Sequence, residues 1–293
     1  MDAQTATVLL GLASAVTWGS ADFGGGIAGR RAPLFGIVLF SQLAGCAMAL
    51  GVAALRGEPL PQAGDLAVAL AAGLAGAIGI VALYRGLAVG RMGVVAPISG
   101  VLAALVPVAA AIVWQGTPGP ARLAGIGFAL VAVVLVSRSA GNAPPGNAPP
   151  GVDRSSTLRN DVALGLIAGI ALGLFNLIAS RLSPGLVFAP LVVVRTTEAV
   201  LVGSVILVTG RTWRLPRSVW PLVLVVGGLD MAGNGLFILA AQTGRLDVAA
   251  VLSSLYPVST LVLAVVVLRE RIVGAHALGV AAAIAAIVLI RAG

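Results

Sequence analysis

Charged residues are scarce in this chain. Only 10% of its 293 residues are charged, whereas 59% are hydrophobic and the mean hydropathy is +1.08. A soluble domain of this size needs a charged surface in contact with water, and so small a charged fraction cannot supply it. The composition therefore predicts that lipid is the solvent for much of the surface.

Lysine is absent, and cysteine and histidine occur once each, as Cys46 and His276. A single cysteine excludes an intrachain disulfide bond. One histidine and one cysteine argue against a zinc site made of side chains, and the histidine has no motif that would pair it with a nucleophile. A GxxxxGK[S/T] phosphate loop is also missing. The sequence thus predicts neither an enzyme nor a bound cofactor or metal.

The net charge of +8 comes entirely from arginine. A nucleic-acid-binding protein gathers its basic residues on one polar face. Here most arginines lie between apolar runs, as in Arg30-Arg31 and Arg269/Arg271. Short basic loops of this kind are typical of charge-directed membrane topology, so nucleic acid is not an expected partner.

Ten apolar runs are long enough to cross a membrane as helices, since a helix needs about 20 apolar residues to do so. Short breaks with turn residues, such as Arg56-Gly57-Glu58-Pro59, separate them. The pattern predicts an all-α integral membrane protein with ten transmembrane helices, and it does not fit the short alternating segments of a β-barrel. The runs cover residues 5–27, 34–55, 65–84, 93–114, 121–138, 161–180, 186–209, 219–241, 247–268 and 273–290.

One break between the runs differs from the others. Residues 140–152 read AGNAPPGNAPPGV, a tandem repeat of proline, glycine and polar residues. Such a segment can neither pack nor form a helix and is typical of a flexible linker. It divides the chain into a first unit at residues 1–139, a linker at 140–160 and a second unit at 161–293.

The two halves match each other at an offset of 154 residues. Gly90-Arg91 aligns with Gly244-Arg245, Ser99 with Ser253, and Gly125 with Gly279. Because each half has five spans, an odd number, the second half must cross the membrane in the opposite direction to the first. Inverted repeats are a hallmark of secondary transporters, which bind substrate near the midplane between the repeats.

Two five-helix halves resemble the EamA-type members of the drug/metabolite transporter superfamily. Thr17-Trp18-Gly19-Ser20 is similar to an aromatic-Gly-Ser motif of that family, and residues 249–270 are similar to its Ser-rich, Pro-containing helix. Gly274 and Gly279 resemble the small residues of its last helix. In size and layout the chain is also similar to bacterial exporters of aromatic amino acids of the YddG type.

The resemblance implies a transporter in the bacterial cell membrane, with a central cavity that opens alternately to each side. It implies export of small metabolites, with amino acids first, and no ATPase activity. Transport of other metabolites or drugs by proton antiport, and a non-transporting membrane scaffold, are the alternatives. No pattern in the sequence specifies an oligomeric state.

Polar residues inside the spans are the candidates for the substrate site, because an unpaired polar group facing lipid costs several kcal/mol. Asp230 is foremost among them: it either binds a proton or the ammonium of a substrate, or pairs with an arginine. Arg195 and Glu198 are spaced to form an internal ion pair. Asp22, near the end of its span, is expected at the membrane interface, with a role as a relay as the alternative. The predicted cavity residues are Trp18, Tyr84, Ser99, Asn176, Asp230, Asn234, Ser253 and Tyr256.

The orientation in the membrane has two interpretations. If the N-terminus is inside, 11 arginines lie in outer loops and 5 in inner ones. The positive-inside rule then favours both termini outside. The family resemblance implies both termini inside.

Overall fold

The computed structural model describes residues 2–89, 92–140, 154–269 and 274–292, and over these ranges the chain is helical, without strands. Ten segments are long and apolar enough to cross a membrane, as predicted. A 3-10 turn at Arg217–Val219 precedes the eighth span. The helices are α1 Ala3–Gly29, α2 Leu34–Arg56, α3 Ala63–Val89, α4 Met92–Gln115, α5 Pro120–Ala140, α6 Arg154–Ala179, α7 Phe188–Thr209, α8 Trp220–Thr243, α9 Leu246–Ser253, α10 Tyr256–Leu268 and α11 Gly274–Ala292.

Much of the apolar surface of these helices faces outward. In the most apolar window of each span, only 33–50% of the residues are buried inside the protein. Large side chains such as Leu207 and Val208 are 84% and 86% exposed. Hydrocarbon can cover such side chains, and helices satisfy their own backbone hydrogen bonds there. The chain is accordingly a multi-pass membrane protein.

The helix contacts repeat when the two halves are exchanged. The first, second and third spans are α1, α2 and α3 in one half and α6, α7 and α8 in the other. The first span of each half packs against the third span of the other half, as α1–α8 and α6–α3. The second span does the same, as α2–α8 and α7–α3. The pairs α2–α7 and α5–α11 join equivalent spans of the two halves. This arrangement matches two repeats of five spans, and the odd number inverts the second relative to the first.

Close contacts at glycines recur at the same 154-residue offset that the sequence shows. A Cβ atom at Gly125 would lie 2.7 Å from Ile290 Cγ1, and one at Gly279 would lie 2.7 Å from Val136 Cγ2. Glycine lets the backbones of α5 and α11 approach closely at both positions. Such close van der Waals packing at small residues drives helix association in lipid. The two ends of this helix pair are thus packed in equivalent ways.

The ninth span is broken, although the sequence predicts one continuous run at 247–268. α9 ends at Ser253 and α10 begins at Tyr256. Pro257 has no N–H to donate and cannot continue the helix, and the turn is closed by Leu255 N–H donating to Leu252 O at 3.2 Å. A second difference is at α6, which begins at Arg154, so residues 154–160 of the predicted linker are helical. Residues 141–153 lie outside the described ranges.

The loops on one side of the helix bundle are tied together by hydrogen bonds. We call this side the terminal face, because the start of α1 and the end of α11 meet there, with Gln4 Nε2 donating to Arg291 O at 3.1 Å. Arg245 donates to Gln115 O and Gly116 O at 3.0 and 2.9 Å. Gln242 donates to Ser183 O at 3.2 Å. These bonds join the start of α1 to the end of α11, and connect the loops that follow α4, α6 and α8.

Glu58 adds a link made of three hydrogen bonds on the same face. Its Oε2 accepts hydrogen bonds from the backbone N–H groups of Val187, Phe188 and Ala189, at 3.2, 2.7 and 2.9 Å. These groups start α7, where no intrahelical acceptor exists and negative charge is favoured. Glu58 therefore fastens the second repeat to the loop that joins α2 to α3 in the first.

Gly125→Ala should destabilise the protein by about 1–3 kcal/mol, because the added methyl group would press on α11. Gly127→Ala is the matched control on the same helix, since nothing lies within 4 Å of a Cβ there. It should leave stability unchanged or slightly higher. Thermal unfolding in detergent measures both, and equal losses would contradict the close packing of α5 on α11.

Glu58→Ala should cost about 1–3 kcal/mol, because three backbone N–H groups lose their acceptor. Arg56 also pairs with Glu58, at 3.1 Å, but 49% of its side chain is exposed. Arg56→Ala should therefore cost about 1 kcal/mol or less. Unfolding of the two variants under the same conditions tests this order, and a larger loss for Arg56→Ala would refute the role given to Glu58.

Candidate functional site

A charged group lies in the interior between α2, α7 and α8. It consists of Gln42, Arg195, Glu198 and Asp230, which we call the charge cluster. Arg195 Nη1 donates to Glu198 Oε2 at 3.1 Å and also to Gln42 Oε1. Arg195 Nη2 lies 2.7 Å from Asp230 Oδ2. One guanidinium is thus shared by two carboxylates.

The sequence dictates part of this arrangement locally. Arg195 and Glu198 are three residues apart, so both project from the same side of α7, and the predicted ion pair between them is confirmed. Glycines provide the space. The Glu198 carboxylate occupies the volume that a Cβ at Gly76 would need, and a Cβ at Gly45 would lie 3.5 Å from Arg195 Nε. Small residues on α2 and α3 therefore admit large charged ones from α7.

Burial differs sharply within the charge cluster. The side chains of Arg195 and Glu198 are 1% and 2% exposed, whereas that of Asp230 is 35% exposed. The contact between Arg195 and Asp230 is an ion pair by distance, but Nη2 is not aligned for a hydrogen bond, and Nε has no partner in the described part of the chain. Asp230 thus has an arginine partner, as the ion-pair interpretation of this residue required. The exposed part of its side chain is still accessible to a ligand.

Aromatic side chains line the interior beside Asp230. Trp18 Nε1 donates to Asn234 Oδ1 at 3.1 Å, and Asn234 lies one turn after Asp230 on α8. The Trp18 ring stacks on Phe237 with centroids 5.9 Å apart and meets Tyr256 edge-on at 6.4 Å. The first residue of α10 thus meets α1, which itself packs on α8, at the break in the ninth span.

Asp22, for which both a relay and an interfacial position were considered, lies near the same region. It lies four residues after Trp18, on the same side of α1. Its carboxylate interacts electrostatically with Asp230 and with Tyr256. Asp22 is exposed, and it has no hydrogen-bond or ion-pair partner among the described residues. We call Trp18, Asp22, Asp230, Asn234 and Tyr256 the central site.

The other predicted residues have different surroundings. Ser253 is buried and donates to Gly11 O at 3.4 Å, and so links α9 to α1. Ser99 is buried where α4 meets α6, so the two serines occupy equivalent contacts in the two repeats. Asn176 lies on α6, and its Oδ1 is buried without a hydrogen-bond partner in the described ranges. The side chain of Tyr84 lies outside the part of the chain that the structure describes.

The sequence reasoning missed Gln42 and did not place Asp22 in this region. Gln42 is a polar residue inside a span, and the cost of burying it was a signal that could have indicated a role. Asp22 was considered, but its inward direction could have been inferred from the 154-residue offset, which aligns it with Asn176. No group of three or more His, Cys, Asp or Glu residues that could hold a metal ion occurs in the described ranges.

The fold and the interior site together define a multi-pass membrane protein of two five-span repeats with a polar centre. A family model of EamA-like transporters matches the chain twice, at residues 5–138 and 161–292. The chain belongs to the EamA-like transporter family. No curated protein sequence matches it.

One similar solved structure is described only as a crystal structure of a protein. It shares 19% sequence identity with this chain, with a TM-score of 0.78 over 97% of both chains. At this identity the likeness shows a shared fold.

Arg195→Gln should destabilise the protein by about 3–5 kcal/mol, because it removes the one cation that Glu198 and Asp230 share. The triple variant Arg195→Gln/Glu198→Gln/Asp230→Asn should recover most of that loss, since it removes the unpaired charges. Asp230→Asn alone is the matched control and should cost less, because Glu198 and Gln42 still hold the guanidinium. Thermal unfolding in detergent gives all three values, and a triple variant as unstable as Arg195→Gln would contradict this account.

Proposed function

We propose that this protein is a secondary transporter that exports small metabolites with a protonated amine, amino acids first and aromatic ones among them, by alternating access. The observation that carries the proposal is the central site, where Asp22 and Asp230 lie beside Trp18 and Tyr256. Carboxylates bind ammonium groups through charge-assisted hydrogen bonds, and aromatic faces bind both apolar side chains and cations. An amine joined to an aromatic or apolar group fits both the acidic and the aromatic part of this site.

The charges around the central site favour recognition of the amine over recognition of a carboxylate. Asp22 and Asp230 are both acidic, and the nearest described cation, Arg195, is buried and already shared between Glu198 and Asp230. A substrate anion would meet repulsion from two carboxylates before it met a free cation. The ammonium is thus the group that the site attracts, and Asn234 and Trp18 can orient the rest of the molecule.

Access to the central site supports alternating access. Asp22 is exposed although it faces the interior, and it lies towards the end of α1 that is remote from the terminal face. In the proposed transport cycle, water reaches the central site from that opposite side. On the terminal face, the hydrogen bonds of Glu58, Gln242 and Arg245 hold the loops together. This combination supports a carrier that opens on the side of Asp22 while the terminal face is closed.

Three related compounds test the proposal in proteoliposomes that contain only the purified protein. Labelled L-phenylalanine has an ammonium, a carboxylate and an aromatic ring; 2-phenylethylamine lacks the carboxylate, and 3-phenylpropionate lacks the ammonium. Counterflow should be measurable for the first two. The rate for the third should be lower by about tenfold or more, because a charge-assisted hydrogen bond contributes about 1.5–3 kcal/mol.

Asp22→Asn and Asp230→Asn should each reduce counterflow of both amines by about tenfold or more, for the same reason. Asp2→Asn is the matched control, since this acid lies at the start of α1, outside the spans, and caps the helix through Thr5 N at 2.6 Å. It should transport at the wild-type rate. Counterflow of 3-phenylpropionate at the rate of the amines, or no counterflow of any of the three, would overturn the proposal.

A further inference from the structure

The charge cluster holds one more carboxylate than its cation can neutralise. From α7, Arg195 faces Glu198, and from α8, Asp230 shares the same guanidinium. The helices that complete the surroundings bring no further charge among the described residues: α2 provides Gln42 and α3 provides Gly76. Asp22 on α1 adds a further acid near Asp230.

An uncompensated charge in a buried, poorly polarisable environment is strongly unfavourable, so a group in that position takes up a proton or a counter-ion. With Arg195 bound to Asp230, Glu198 is neutral if it holds a proton. With an external cation bound to Asp230, Arg195 is left to Glu198, which must then be ionised. Counted without Asp22, which is exposed, the cluster is electrically neutral in both states, and it is not neutral in any state that contains both the cation and the proton.

We propose that Glu198 is the proton-binding site of the transporter and that binding of a cationic substrate at Asp230 releases its proton, so that the protein exchanges one proton for one amine. This step rests on the proposed function, because it requires a substrate with a positive charge. The exchange is balanced. Neutral Glu198 loses one proton to water, the substrate ammonium adds one positive charge at Asp230, and Arg195 remains charged throughout.

Exposure assigns the two acids their separate roles. Asp230 is the acid that a substrate can reach, because 35% of its side chain is exposed, whereas Glu198 is 2% exposed. Arg195 Nη1 already donates to Glu198, so this contact persists when Asp230 binds a ligand. Nη2 and Nε are not held by aligned hydrogen bonds. Nη2 holds Asp230 by an ion pair at 2.7 Å, and a substrate cation at Asp230 replaces the guanidinium in that contact.

Infrared difference spectroscopy tests the proton without any substrate. Spectra of the purified protein at neutral pH should contain the carbonyl stretch of a protonated carboxylic acid, and Glu198→Gln should remove this band. Asp247→Asn is the matched control, because Asp247 is fully buried but has Arg245 to itself at 2.9 Å. It should leave the band unchanged. Absence of the band in the wild type, or its persistence in Glu198→Gln, would overturn the proposal.

Proton release tests the coupling, with 2-phenylethylammonium as the probe in weakly buffered detergent solution. Binding should release about one proton per molecule bound by the wild type, and should remove the carbonyl band. Glu198→Gln should release none, and its thermal unfolding should be measured alongside to show that it is folded. Binding to the wild type without proton release would overturn the proposal.

The two proposals fail in different ways. If the probe does not bind, the proposed amine substrate is wrong, and the infrared band alone then decides whether Glu198 holds a proton. If the probe binds and is transported but the band is missing, the transport function stands and the proton site at Glu198 is refuted.

Discussion

Hydrocarbon offers no hydrogen bonds, and this constraint governs how the chain folds. Each backbone N–H and C=O inside the membrane must find a hydrogen-bond partner within the protein. A helix provides these partners within its own segment. Side chains obey the same constraint. Ser253 donates to a carbonyl of α1, Trp18 to Asn234, and Arg195 to acceptors on two helices. At the break between α9 and α10, Ser254 and Leu255 are buried in the protein, and their N–H groups still find carbonyl acceptors.

The scaffold is symmetric, whereas its polar centre is not. Glycines 154 residues apart make equivalent helix contacts in both repeats, as Gly125 and Gly279 do. The charged residues follow no such rule, since the positions equivalent to Arg195 and Glu198 in the first repeat are Ser41 and Ala44. Packing is therefore a property of both halves, and the chemistry belongs chiefly to the second.

The sequence predicted the spans and their repetition because length, hydropathy and glycine spacing are local properties of the chain. It also predicted the ion pair of Arg195 and Glu198, since three residues on a helix define their own geometry. It could not choose between the two roles of Asp230. That choice depends on how α8 is rotated against α7, which only the packing of distant helices determines. The break at Ser254 and Leu255 had a visible cause in Pro257, but proline inside a span can kink a helix as well as end it.

The glycine at position 76 bears on how the two halves can evolve. Its equivalent in the second repeat is Asp230, and the carboxylate of Glu198 fills the space that any side chain at position 76 would occupy. Copying the second half of the gene onto the first would place an aspartate there, against an acid that is already buried. The duplicated halves are thus prevented from becoming identical again. Position 76 in the first half must stay small because of a side chain that the second half contributes.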